Sequence, residues 1–175
     1  NDLLPEVFLG RLSFDSQSHL QTIISKTFNY ESSPYMGENW FQRACLVGDP
    51  SSSGISCIIT NDNIKEVLEL HGYNDIRTVY SGSFPSQMTN NLSDGLGFFN
   101  YRGYYGVSGF NSSNVNATNN GFMLPIATVI TCGTGSFASD ECLAEAFLRA
   151  NLSPPPISPP FIGPVAAQRC GDRIS

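Results

Sequence analysis

A chain of 175 residues holds one domain with a proper core rather than two. Its net charge of −6, with Lys26 and Lys65 the only lysines and seven scattered arginines, argues against nucleic acid and anionic membrane as partners. No apolar stretch reaches the roughly 18 to 20 residues of a membrane span. Only 14% of residues are charged, and Asn, Ser and Gly supply the polarity instead, a mix that leans towards extracytoplasmic proteins.

Residues 6–11 read as a short strand, so the chain opens with no secretory signal, as expected of a fragment whose address was carried upstream in a longer precursor. From residue 15 to 31, Leu20, Ile23, Ile24 and Phe28 recur at helical spacing, and Asp15 or Ser16 can cap the start. Residues 43–48 form an apolar run that suits a parallel strand buried on both faces, and a turn follows at residues 49–54. Ile64, Val67, Leu68 and Leu70 mark a helix over 58–70, which Gly72 stops. A strand at 76–80, a weak helix or loop at 87–92, a strand at 96–101 and a strand at 126–131 come next. A last helix spans about 140–150. Strands alternating with helices predict an α/β fold around a mostly parallel sheet, with function gathered at the carboxyl ends of the strands. Residues 151–164 hold six of the eleven prolines and read as an extended segment, which sets residues 1–150 apart as the domain and 151–175 as a tail or a truncated continuation of it.

Five cysteines is an odd number, so at least one is free or pairs between chains. None has CxxC spacing and there is no His cluster, which speaks against a structural zinc site. Cys132 stands out. The apolar run before it delivers it to a strand end, and Gly133 and Gly135 let the chain turn sharply afterwards. That is where a nucleophile belongs, with backbone N–H groups near enough to hold an oxyanion and a following helix start to favour the thiolate. A buried small hydrophobe is the alternative fate of such a cysteine. A phosphate-binding turn is the other, but GxGxxG and the P-loop Lys are both missing.

Four stretches taken in order carry a resemblance: residues 5–12 (Pro-Glu-Val-Phe-Leu-Gly-Arg-Leu), 46–50 (Leu-Val-Gly-Asp-Pro), 99–103 (Phe-Asn-Tyr-Arg-Gly) and 130–137 (Ile-Thr-Cys-Gly-Thr-Gly-Ser-Phe). Together they resemble the gingipain family of cysteine peptidases across about 150 residues. The resemblance implies a three-layer caspase-like α/β domain, of which this chain is the Cys-bearing half. It further implies proteolysis with Cys132 as nucleophile, at an extracellular or cell-surface location. The partners it implies are a polypeptide substrate or protein ligand and the remaining subdomain of the same precursor. No cofactor is required, although calcium is often bound in the family. The family's usual His falls on Tyr104, and a tyrosine with an ordinary pKa of about 10 is a poor base at neutral pH. The base then comes from outside this segment, or the helix ionises the thiol. The alternative is a catalytically inactive peptidase-like domain kept for binding or assembly.

On this reading Gly103, Tyr105 and Gly133, with Cys132 itself, offer backbone donors to the oxyanion. Tyr105, Phe110 and Asp49 are candidates for contacting substrate. Phe110 can equally pack beneath its loop, and Asp49 can bind calcium or merely cap a turn. His19 reads as an exposed helical residue, and His71 as a helix-end residue at the opposite edge from the site. Asp140 and Glu141 complement the start of the last helix.

Overall fold

The computed structural model describes residues 7, 9–32, 34–138 and 141–150. Four strands, β1 (Arg43–Gly48), β2 (Asp75–Val79), β3 (Phe98–Tyr105) and β4 (Ile126–Cys132), form one sheet in the order β2-β1-β3-β4. Every pairing is parallel. The helices are α1 (Gln17–Ser32), α2 (Pro50–Ser53), α3 (Ser56–Leu70), α4 (Phe84–Ser93), α5 (Ser112–Asn116) and α6 (Leu143–Arg149). The expected α/β architecture with a parallel sheet is therefore present. The strand expected over 6–11 is not, among its described residues; Glu6 and Phe8 lie outside them.

The two faces of the sheet are sorted by strand alternation. Cys45, Val47, Phe99, Tyr101, Ala127 and Val129 face a core completed by Met88 and Leu92 of α4, Val115 of α5 and Ala146 of α6. The intervening residues of β1 and β3 face α3. There Asn100 donates to Asn61 Oδ1 at 2.6 Å, both side chains being fully buried. The apolar runs of β1 and β3 thus reflect burial on both sides. Among the described residues strand β4 has a neighbour on one edge only, and its alternating exposure fits that position.

Segment 84–93 is a full helix where a weak helix or loop was expected. Pro85 in its first turn presets the backbone, and Met88 and Leu92 supply the buried stripe at i,i+4 spacing among polar neighbours. The last helix starts at Leu143, later than the expected 140; Asp140 lies outside the described residues.

Helix α1 packs on α6 through a buried lysine. Lys26 is 4% exposed and donates to the carbonyls of Phe147 (3.4 Å) and Leu148 (3.1 Å). Burial pulls its pKa down from 10.5 to about 8. The unfolded chain therefore binds more protons between pH 8 and 10.5, so stability should rise as pH climbs through that window and be penalised below it. We expect Lys26→Met to stabilise the fold at pH 7 by roughly 1–3 kcal/mol, the relieved charge burial outweighing two lost hydrogen bonds. Urea unfolding should show that advantage shrinking towards pH 10; parallel curves for the two proteins would rule the explanation out.

Candidate active site

Strand alternation places Ala127, Val129 and Thr131 inward, so Cys132 projects from the opposite face and is exposed. The other described cysteines are buried. Burial pushes the Cys45 thiol up to about 12, and burial first of all raises Cys142. The Cys57 thiol donates to the Gly54 carbonyl at 3.1 Å. No disulfide joins the four; Cys170 lies outside the described residues.

Strand β3 runs beside Cys132 with an irregularity. Arg102 pairs with Ile130 and Tyr105 with Cys132, so β3 takes three steps where β4 takes two. This is a bulge, a device that re-aims side chains beside sites. It lets Tyr105 stand as the ladder partner of Cys132 while Tyr104 sits one residue back, and both side chains are open to solvent, at 74% and 67%. Gly106 donates its N–H to the Cys132 carbonyl at 2.9 Å. The backbone around Cys132, Gly133 and the bulged stretch Gly103–Tyr105 thus converges at this strand end, where the sequence places the oxyanion donors.

Gly133 has φ +81, and a Cβ placed on it would lie 2.9 Å from the Tyr105 ring. Only glycine fits this turn. Gly103 is restricted for a different reason: a Cβ there would fall 2.5 Å from the Tyr101 ring. Beyond Gly133, Thr134 is buried and its carbonyl accepts the Ala144 N–H at 3.1 Å. The Cys142 N–H goes to Glu145 Oε2 at 3.0 Å. Two amides at the start of α6 are thus already engaged within the loop and the helix. Phe137, further along the same loop, carries the Arg11 guanidinium 4.4 Å from its ring centre, a cation–π contact that ties the N-terminal segment to the cysteine loop.

The remaining sequence candidates divide. Phe110 is buried and stacks on Phe147 with ring centres 6.3 Å apart, so it is core and not a substrate wall. Asp49 caps α2, accepting from the Ser51 N–H at 3.0 Å and from the Ser51 hydroxyl. Its other oxygen accepts from the Ser108 hydroxyl at 2.6 Å. Burial alone would raise its pKa, but these hydrogen bonds outweigh it and hold the carboxylate below its usual range. With both oxygens occupied, and no cluster of three or more His, Cys, Asp or Glu among the described residues, this donor set does not fit calcium. His19 pairs with Asp15 on the surface of α1, and His71 bonds the Val67 carbonyl at the end of α3. Asp15 also meets Arg149 at the C-terminal end of α6, which, like the end of α3, lies at the amino edge of the sheet, away from Cys132.

Comparison with known proteins places this arrangement. The family model for peptidase family C25 matches residues 1–166. The chain belongs to that family. Gingipain R2 of Porphyromonas gingivalis is 32% identical over 162 residues, which cover 86% of this chain and 22% of the relative. Lys-gingipain HG66 of the same organism is 26% identical over 165 residues, covering 85% and 9%. Among solved structures, the crystal structure of the Arg-specific cysteine proteinase gingipain R superposes with a TM-score of 0.77 at 28% identity, over 96% of this chain and 40% of that one. The complex of P. gingivalis RgpB pro- and mature domains gives 0.76 at 28% identity, over 93% and 40%. The caspase-like α/β fold expected from the resemblance is thereby established, and the chain spans about a fifth of the length of the first relative.

Tyr101 and Ser108 had no sequence signal as site residues. Tyr101 was embedded in a strand motif and Ser108 in a Gly-rich loop, and neither carries a spacing that announces a partner near residue 49.

Proposed function

We propose that the chain is the Cys-bearing part of a cysteine peptidase and that Cys132 is its nucleophile. The observation that carries this reading is an exposed cysteine at the carboxyl end of a parallel strand, followed by an obligate glycine and flanked by the bulged end of β3. The Cys132 thiolate Sγ attacks a peptide carbonyl carbon, and the carbonyl oxygen takes up the charge beside Gly133 and the bulged backbone. Collapse expels the amine, which leaves with the proton, and water then hydrolyses the thioester. In this reading the base comes from outside this segment, or the thiol is already ionised by the following helix: the family's His falls on Tyr104 by the resemblance, His19 pairs with Asp15 and His71 bonds the Val67 carbonyl. The substrate is a polypeptide, and the rest of the same precursor completes the site. The low charge content and the family resemblance support an extracellular or cell-surface location.

The test is cleavage of fluorescently labelled casein by the full-length protein. Cys132→Ala should lower the rate by about 1,000-fold or more. Undiminished cleavage by the variant would overturn the assignment. A folded wild-type protein that cleaves nothing would favour the second reading, a peptidase-like binding domain, which rests on Tyr104 falling, by the family resemblance, on the position of the family's His.

A further inference from the structure

The turn after β3 is held in place by a chain of side chains that no catalytic step requires. The Ser108 hydroxyl has one proton, and at 2.6 Å from Asp49 Oδ2 that proton goes to the carboxylate. The Tyr101 hydroxyl, 2.8 Å from Ser108 Oγ, must then be the donor to it. The resulting run, Tyr101 to Ser108 to Asp49, joins β3, the turn after it and the cap of α2, across 59 residues of sequence. Ser108 itself has φ +45, a conformation that L side chains adopt only when their surroundings insist. What insists here is the hydroxyl, bonded on both sides.

The same turn touches the cysteine. Gly103 rests on the Tyr101 ring, Gly106 donates to the Cys132 carbonyl, and Phe110 is anchored in the core. Between the first two contacts lies the bulged backbone that flanks Cys132. We propose that Asp49, through Ser108 and Tyr101, is a positioning residue that fixes the backbone of residues 103–108 beside Cys132, and is neither a substrate contact nor a cation ligand. The proposal rests on the peptidase reading for its kinetic consequence and stands on geometry alone for its structural one.

The experiment uses the full-length protein with Ser108→Ala, Ser108→Gly, Asp49→Ala and Asp49→Asn. The glycine variant removes the hydroxyl and relieves the positive φ together, so it stays folded should the alanine variant not. Two quantities are read. One is amide hydrogen exchange over residues 103–108. The other is the ratio of Cys132 labelling rates with a tripeptidyl acyloxymethyl ketone pool, which needs an aligned site, and with iodoacetamide, which does not. Ser108→Ala, Ser108→Gly and Asp49→Ala should each raise exchange in the segment and lower the labelling ratio by about 10-fold or more. Asp49→Asn, which keeps the shape and the cap, should recover part of both. Unchanged exchange in the serine variants would overturn the brace, and faster exchange with an unchanged ratio would overturn its positioning role. A wild-type ratio no higher than that of the unfolded protein, together with faster exchange in the variants, would sink the peptidase reading while leaving the brace intact.

Discussion

Gly133→Ala is expected to lower peptide cleavage by about 100- to 1,000-fold while leaving the protein folded. Two effects add at this position. The backbone is at φ +81, where an L side chain is strained by roughly 1–2 kcal/mol, and the new methyl would press on the Tyr105 ring at 2.9 Å. The turn lies at an exposed strand end, so it can relax by rotating out of its conformation without unfolding the sheet. Rotation moves the Gly133 N–H, and loss of one oxyanion donor costs about 2.7–4 kcal/mol of transition-state stabilisation. Gly72→Ala separates strain from chemistry. Gly72 has φ +88 with open space around it, at the end of α3 on the opposite edge of the sheet. It should lose similar stability and keep full activity. Equal activity in the two variants would show that Gly133 is a turn residue and nothing more.

How far the sequence carries depends on the range of the interactions involved. The β1 and β4 runs were legible because burial on a sheet leaves a local apolar pattern, and their boundaries agree with the structure to within about a residue. Helix α4 was nearly lost because Phe84, Met88 and Leu92, spaced four apart among Pro, Ser, Thr and Asn, are a faint signal for ten helical residues. Strand β3 runs four residues beyond its expected end at Tyr101, into glycine and tyrosine positions that read as loop. The family resemblance found the cysteine and the strand end opposite it. Composition could not show the bulge, since a one-residue slip between strands has no local signature. Nor could it show that Asp49 is occupied by Ser108, a contact made only when β1 and β3 become neighbours. Phe110 was ambiguous for the opposite reason. An aromatic residue on a Gly-rich loop can face either way, and only Phe147 on α6 decides that it faces in.

The largest expected loss of stability comes from a different polar cluster. Arg149 and Glu145 are 7% and 4% exposed and meet at 2.8 Å, one turn apart on α6. Glu145 accepts from the Ser13 hydroxyl as well as from the Cys142 N–H, and Arg149 donates to the Ser13 carbonyl at 3.1 Å and to Asp15 at 3.2 Å. The pair therefore ties the segment before α1 to the helix that closes the core, and the same segment reaches the cysteine loop through Arg11 on Phe137. Arg149→Met would strand a buried carboxylate, and such losses run to about 3–5 kcal/mol. Burial by itself would raise the Glu145 pKa, but the Ser13 and Cys142 hydrogen bonds and the Arg149 charge outweigh it and hold it below 4.5. Because the folded-state pKa is depressed, this group's contribution is complete above about pH 4.5 and disappears as pH falls through the folded value. In the variant the carboxyl can escape its predicament by taking a proton. The penalty measured by urea unfolding should therefore be largest at pH 7 and clearly smaller at pH 4. Adding Glu145→Gln should return part of the loss at pH 7, because no charge is then left alone. A penalty that is the same at both pH values and indifferent to the second substitution would mean that Arg149 acts by packing, with the ion pair incidental.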